Sequence, residues 1–477
     1  MPPRYVPPEG SIPTLSIPSL DGVGSVHLIG VGGAGMRNLA RLFLARGLEV
    51  SGSDLKESKG LVELRGLGAR IWVGHDPGVL GVPDVVVVSS AIGATNSELV
   101  AAGHLGIEVW RRQQAVAALA QERRVVAVAG THGKTTTTSL VAIALERGGL
   151  DPTYLVGGDL NESGSGARHG DGDLFVFEAD ESDGSFLLLP PDIGVVTNVE
   201  IDHVDFYQGG RDEIVAAFAA FMERCGRVVA FGDDPQVRAA MAAAGVDAVT
   251  YGMDTGNEIV VRIDRLGPTG AAGTLQVDGT QVDVRLGVDG PHNLLNAAAA
   301  VAVARDLGVD PTDAAAALAG FAGVHRRFER RGAERGAEFF DDYGHNPTEM
   351  QVTIDTARRR APRRLIAVVQ PHRHSRVQAL WRELGASVAG ADVVVVTDVY
   401  GAAQVPIPGV TGKLVVDGVQ LHAPGRRTVY LPHRQDVVAF LDREVREGDL
   451  VVTMGCGDVW MLGDAALERI RDSDADR

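Results

Sequence analysis

Short apolar runs separated by stretches of helical periodicity recur along most of the chain. Val26-His27-Leu28-Ile29 opens the series, glycines and a helical pattern through Arg46 follow, and a second run lies at Leu48 to Ser51. Val85 to Val88 and Ile107 to Val109 continue it. Buried runs alternating with helices predict a parallel sheet covered on both faces, so residues 24–122 read as a Rossmann-like domain. The alternation restarts at Val125 to Ala129 and continues through Leu174 to Phe177, Gly194 to Thr197 and Val228 to Phe231. Turn-separated runs between Val260 and Val288 lack intervening helices and predict a small antiparallel insertion.

Residues 123–328 thus form a central domain, and 329–477 a third, with strands at Leu365 to Val369, Val393 to Thr397 and Leu450 to Met454. The fold class is α/β in three domains, two of them Rossmann-like and the central one a parallel sheet of the P-loop ATPase type. Proline-rich residues 1–23 lack the basic start and apolar stretch of a secretory signal and are expected to form a flexible tail. Residues 471–477 are expected to fray.

Composition narrows the function. With 45% hydrophobic and 22% charged residues in 477, the chain is a packed globular protein, and apolar runs such as Ala297 to Ala304 fall short of a membrane span. A net charge of −17 disfavours nucleic acid and anionic membrane as partners. Cys225 and Cys456 are far apart, so neither a disulfide framework nor a cysteine metal site is expected, and a reducing cytoplasm fits. Of 45 basic residues only Lys56, Lys59, Lys134 and Lys413 are lysines, which makes each lysine informative.

Lys134 lies in the sharpest motif, Gly130-Thr131-His132-Gly133-Lys134-Thr135-Thr136, directly after a strand. Backbone N–H groups of such a loop and the following helix N-terminus hold phosphate oxygens, while the lysine adds charge and Thr135 a hydroxyl for Mg²⁺. Val128 stands where the general phosphate loop has its first glycine. Two further strands end in Glu178-Ala179-Asp180-Glu181-Ser182-Asp183 and in Thr197-Asn198-Val199-Glu200-Ile201-Asp202-His203-Val204-Asp205. Strand ends of a parallel sheet are where ligands bind, so three polar loops are expected to meet in one crevice suited to metal-assisted phosphoryl transfer.

Gly30, Gly32 and Gly35 satisfy G-x-G-x-x-G, with Asp54 ending the next strand. Alone this pattern predicts NAD and a dehydrogenase, but the same geometry accepts the diphosphate of a nucleotide-sugar. In the third domain, Asp341 to Glu349 and Gln370-Pro371-His372-Arg373-His374-Ser375-Arg376 follow apolar strands, and Arg373 and Arg376 could clamp a carboxylate or phosphate.

Together with His292 to Ala297 and Arg326-Arg327-Phe328-Glu329, these motifs resemble the Mur ligase family from about Val26 to Leu467. The resemblance implies ATP-dependent ligation of an amino acid to a carboxylate through an acyl phosphate, in peptidoglycan precursor synthesis in the cytoplasm. The branch it points to joins L-alanine to UDP-N-acetylmuramate, and the rival branch attaches a recycled tripeptide to the same nucleotide sugar. The protein would act as a monomer or weak homodimer.

By motif position, the resemblance assigns Gly130, Thr131, Gly133, Lys134, Thr135, Thr136, Asn296, Arg327 and Asp342 to ATP. Thr135, Glu178 and His203 would surround Mg²⁺. Gly32, Gly33, Ala34, Gly35, Met36, Asp54, His75, Ser89 and Ser90 would receive the uridine nucleotide. His345, His372, Arg373 and Arg376 would line the amino-acid pocket, with Lys134, His203 and His345 as catalytic residues and the two histidines as candidate general bases. The absence of any lysine between Lys134 and Lys413 removes a counterpart to the carbamoylated lysine of several sibling ligases, in agreement with the alanine-adding branch. Two positions depart from the family pattern, Asn346 where a second histidine is usual and Gln404 where a glutamate is usual.

Overall fold

The computed structural model describes residues 16–161, 163–203, 206–402 and 404–475. It divides into two compact units, one holding the chain up to Arg265 with Gly270–Ala322, the other Leu266–Thr269 and the chain from Gly323 onward.

The first unit carries two sheets. Strands β1 (Ser25–Ile29), β2 (Glu49–Asp54), β3 (Arg70–Val73), β4 (Val85–Val88) and β5 (Glu108–Arg111) form an all-parallel sheet in the order β3-β2-β1-β4-β5. The order reverses between β1 and β4, which opens a crevice at their C-terminal ends. The second sheet comprises β6 (Arg124–Ala129), β7 (Thr153–Leu155), β8 (Ala167–Arg168), β9 (Leu174–Glu178), β10 (Ile193–Val196), β11 (Arg227–Phe231), β12 (Ala248–Gly252), β13 (Ile259–Arg265), β14 (Ala271–Val277) and β15 (Thr280–Leu286). Its order is β15-β14-β13-β12-β11-β10-β6-β9-β7-β8. Here β6 lies between β9 and β10 and is parallel to both, so the three polar loops anticipated from the sequence leave neighbouring strand ends. The expected antiparallel stretch is present as β13, β14 and β15, and it joins the main sheet through the parallel pairing of β13 with β12.

The second unit holds β16 (Glu329–Glu334), β17 (Ala337–Asp342), β18 (Arg364–Val369), β19 (Val393–Val396), β20 (Arg427–Tyr430) and β21 (Asp449–Met454), ordered β16-β17-β21-β18-β19-β20. The last strand in sequence is therefore inserted between β17 and β18, parallel to both. On one face of this sheet the helices His374–Val388 and Lys413–His422 approach so closely that a Cβ on Gly385 would lie 2.3 Å from the backbone of Gly418. Only glycine permits that approach.

The apolar runs mark most of the buried strands but not β12 or the three-residue β7, and the edge strand β16, built of charged and half-exposed residues, shows no such run. Of the expected N-terminal tail, residues 1–15 lie outside the described residues. Residues 16–23 are packed rather than loose: Ile17 sits against Ala117 and Leu188, and Gln121 donates to the Pro18 carbonyl at 2.9 Å. At the other end Arg471 to Ala475 complete the helix Trp460–Ala475, with Arg471 paired to Glu334 at 2.8 Å; residues 476 and 477 lie outside the described residues. Among the described residues no helix is long and apolar enough to cross a membrane.

Candidate active site

At the end of β6 the backbone turns through Gly130 at φ +134° and Gly133 at φ +78°, and the helix Lys134–Arg147 begins. A Cβ on Gly130 would lie 2.0 Å from the Thr197 hydroxyl, so the sequence needs glycine there on both steric and conformational grounds. Thr197 and Asn198, at the end of β10, tie the loop down: both donate to the His132 carbonyl, and Asn198 Oδ1 accepts from the His132 amide at 2.8 Å. Thr131 is held by the Glu200 amide on its hydroxyl at 2.8 Å. Asn296, on the helix Pro291–Asp306, stands over Gly133, 3.1 Å from where a Cβ would be. Three of the loop residues assigned to ATP, Gly130, Thr131 and Gly133, thus form one preformed cradle with Asn296.

Lys134 Nζ donates to both oxygens of Glu181, at 2.9 and 2.8 Å, and to the Gly130 carbonyl at 2.6 Å. Burial works against the ammonium, but Glu181 and Asp180 outweigh it and hold its pKa up at about 12. Thr135 Oγ1 donates to Glu178 Oε1 at 2.7 Å, and Glu178 Oε2 accepts from the Gly157 amide. His203 has φ +50° and faces Glu181 at 3.6 Å rather than Glu178. Its Nδ1 is buried with no hydrogen-bond partner among the described residues. Burial lowers the imidazole pKa, yet Glu181 and Asp202 raise it overall. The Thr135 hydroxyl and the Glu178 carboxylate, in contact, are hard oxygen donors that fit Mg²⁺ beside a phosphate loop, whereas the His203 nitrogen is a softer donor that faces Glu181.

In the first sheet, Gly32 donates its amide to Asp54 Oδ2 at 2.8 Å, and a Cβ at Gly32 would lie 2.8 Å from that oxygen. Gly33 precedes the helix Ala34–Ala45, and Gly30 at φ +80° abuts Ser89 across the β1/β4 reversal. Two assigned side chains point elsewhere. Met36 is in the apolar core, and His75 Nδ1 bonds the Ser53 hydroxyl at 2.8 Å beside the fully buried Glu98. Glu98 also faces buried His27 at 3.4 Å and accepts from the Asp76 amide at 3.0 Å, so this histidine joins an internal polar network. Sequence reasoning missed Arg112, which passes over Gly35 at 3.3 Å from its would-be Cβ and reaches Asp180 at 3.9 Å. It links the glycine loop to the acidic turn, and no motif marks it.

In the second unit the loops after β17, β18 and β21 converge. His345 Nδ1 donates to the Tyr343 carbonyl at 3.1 Å, because a carbonyl can only accept, and it lies 3.3 Å from Glu349. The rings of His345 and His372 meet edge to face at 5.3 Å, and His372 stacks on Tyr400 at 6.0 Å. Arg376, 5% exposed, donates to His372 Nδ1 at 3.0 Å, which assigns the His372 proton to Nε2. Arg373 takes φ +62° at the helix start, its amide held by the Tyr400 carbonyl at 2.9 Å. The four residues assigned to the amino acid are therefore one cluster.

Both departures from the family pattern have a structural use. Asn346 caps the helix Pro347–Arg359 by accepting from the Glu349 amide at 3.0 Å, and Gln404 accepts from the Ser375 amide at 3.2 Å while donating to the Ser375 hydroxyl at 2.9 Å.

Asp342 ends β17 and accepts from the amides of Phe328 at 2.8 Å and Gly344 at 2.7 Å, fixing a turn in which Arg326 and Phe328 both have positive φ. Arg327 lies over the Tyr343 ring, 5.1 Å from its centroid. Burial raises the Asp342 pKa to about 6, against the pull of Arg327 and the Gly344 amide. A carboxyl raised in the folded state contributes stability that is complete below its unfolded pKa and is lost as pH rises through 6. By pH 8 the loss is about 3 kcal/mol. The melting temperature of Asp342→Asn relative to the parent should therefore climb between pH 4 and pH 8, and a pH-independent difference would contradict the assignment.

Comparison with known proteins agrees with this arrangement. Residues 25–124 match the model of the Mur ligase family catalytic domain, 128–304 the Mur ligase middle domain and 326–457 the Mur ligase glutamate ligase domain. A UDP-N-acetylmuramate–L-alanine ligase of Kineococcus radiotolerans is 47% identical over 469 residues, spanning 95% of this chain and 98% of its own. Among solved structures, the UDP-N-acetylmuramate-alanine ligase of Thermotoga maritima superposes with a TM-score of 0.78 at 27% identity, covering 94% of this chain and 99% of its own. A murein peptide ligase of Psychrobacter arcticus gives 0.73 at 25%, with the same coverage. Since the matches follow the three sheets in order and run through the loops that build the cradle and the histidine cluster, the chain belongs to the Mur ligase family.

Proposed function

We propose that this protein is an ATP- and Mg²⁺-dependent ligase that joins L-alanine to the carboxylate of UDP-N-acetylmuramate, in the cytoplasm, as a monomer or weak homodimer. The observation that carries the reading is the pairing of Lys134 with Glu181 and of Thr135 with Glu178 at adjacent strand ends. A fixed cation beside a hydroxyl–carboxylate pair supports phosphoryl transfer at these strand ends. The relative at 47% identity, named for alanine ligation, supports alanine over the recycled tripeptide.

A carboxylate is a poor electrophile, and phosphorylation by ATP gives it a leaving group. Lys134 offsets charge on the transferred phosphoryl group, and the loop amides between Gly130 and Lys134 orient it. Thr135 and Glu178, with His203 nearby, would hold Mg²⁺, which supplies further positive charge at the phosphates. The glycine loop with Asp54, Ser89 and Ser90 is proposed to receive the uridine nucleotide. The assignments of Thr136, Arg327 and Asp342 to ATP, and of His75 and Met36 to the nucleotide, rest on motif position alone. Arg373 and Arg376 would take the alanine carboxylate, while His203 or His345 accepts the proton as the amine attacks.

Arg376→Lys tests the amino-acid side. A lysine cannot reproduce a planar fork, so the KM for alanine should rise at least about tenfold, with the KM for ATP nearly unchanged. Borohydride reduction should still trap the acyl phosphate in this variant. Equal losses for both substrates, or no trapped acyl phosphate even in the parent enzyme, would contradict the reading.

A further inference from the structure

The loops after β17, β18 and β21 bring together three side chains of a different chemistry. His345, His372 and Cys456 each offer a ligand atom, and these atoms lie within 4.8 Å of one another. All three are partly buried, and two imidazoles with a thiol form a donor set that prefers a borderline d-block ion to Mg²⁺. The sequence conceals the group because Cys456 follows the strand inserted between β17 and β18. We propose that His345, His372 and Cys456 form a binding site for Zn²⁺ or a similar divalent transition-metal ion.

The hydrogen bonds define how the site would work. His345 spends its Nδ1 proton on the Tyr343 carbonyl, which leaves Nε2 as the lone-pair nitrogen, and Glu349 at 3.3 Å orients the ring in the manner of carboxylates behind metal-bound histidines. His372 accepts from Arg376 on Nδ1, so its Nε2 bears the proton. Coordination through Nδ1 displaces Arg376, and coordination through Nε2 moves the proton to Nδ1, where it opposes the guanidinium. Either route breaks the Arg376–His372 bond. The Cys456 thiol gives its proton to solvent as the sulfur–metal bond forms. Tetrahedral donors at about 2.0–2.3 Å from an ion lie roughly 3.3–3.8 Å apart, so the three must close by about 1 Å. The fourth position is left to water or a substrate atom. Binding itself is independent of the proposed reaction, whereas exclusion of alanine by the bound ion rests on the amino-acid assignment of this cluster.

The test uses the full-length protein without nucleotide, titrated with Co²⁺ as a spectroscopic probe and with Zn²⁺ against a chromophoric chelator. One equivalent of cobalt should give a thiolate-to-metal charge-transfer band together with tetrahedral d–d bands. Cys456→Ser should lose the first and weaken zinc binding at least tenfold, while Cys225→Ser keeps both. Arg376→Met should tighten zinc binding by removing the competing donor and its charge. Absence of the thiolate band from the parent protein, or its persistence in Cys456→Ser, overturns the site. If the band is present and zinc inhibits, but alanine does not relieve the inhibition, the site stands and the amino-acid assignment falls.

Discussion

Lys134→Ala should lower ligation by about 10³-fold or more, with binding of UDP-N-acetylmuramate retained. That is the scale for removing a fixed positive group from a transferring phosphoryl. The structure adds a complication that the motif does not show. Lys134 is the partner of Glu181, whose side chain is only 3% exposed, and removing one member of a buried pair costs about 3–5 kcal/mol. The single variant should therefore melt earlier as well as turn over slowly. Lys134→Ala combined with Glu181→Gln separates the two effects, because it removes the stranded carboxylate. The double variant should recover most of the thermal stability and none of the turnover. Recovery of both in parallel would mean that Lys134 serves stability alone, and near-normal turnover in the single variant would reject the phosphate cradle.

Glu178→Gln should be the next most damaging change. It keeps an acceptor for Thr135 or for the Gly157 amide while discarding the charge, so loss of activity reports on the ion rather than on the fold. We expect turnover to fall by about 10²–10³-fold at the parent's Mg²⁺ optimum, partly restored by excess Mg²⁺. His203→Ala should shift the Mg²⁺ requirement less, since its nearest acidic neighbour is Glu181. Magnesium titrations are the measurement. If both variants titrate like the parent, Glu181 is the carboxylate that serves the metal.

Much of this site was legible in the sequence because its parts are chemically unusual for the chain. A lysine is rare here, two of the loop glycines have positive φ, and the acidic turn begins where the apolar run Leu174 to Phe177 ends. Other features depend on tertiary neighbours. Arg112 is one arginine among many until the fold lays it across Gly35 toward Asp180. Cys456 becomes a neighbour of two histidines only through strand order. His75 has a motif position but turns toward Ser53, where buried Glu98 demands polar company. Asn346 and Gln404, which differ from the family pattern in sequence, both serve backbone amides at helix starts, a use that spacing alone does not reveal.

The most direct test of the central claim is to incubate the purified protein with ATP, Mg²⁺, UDP-N-acetylmuramate and an amino acid or tripeptide, following phosphate release and product mass together. Phosphate should appear in one-to-one yield with UDP-N-acetylmuramoyl-L-alanine, requiring every component and fastest with L-alanine. Phosphate release without an amide product, or faster ligation of the tripeptide than of L-alanine, would contradict the claim.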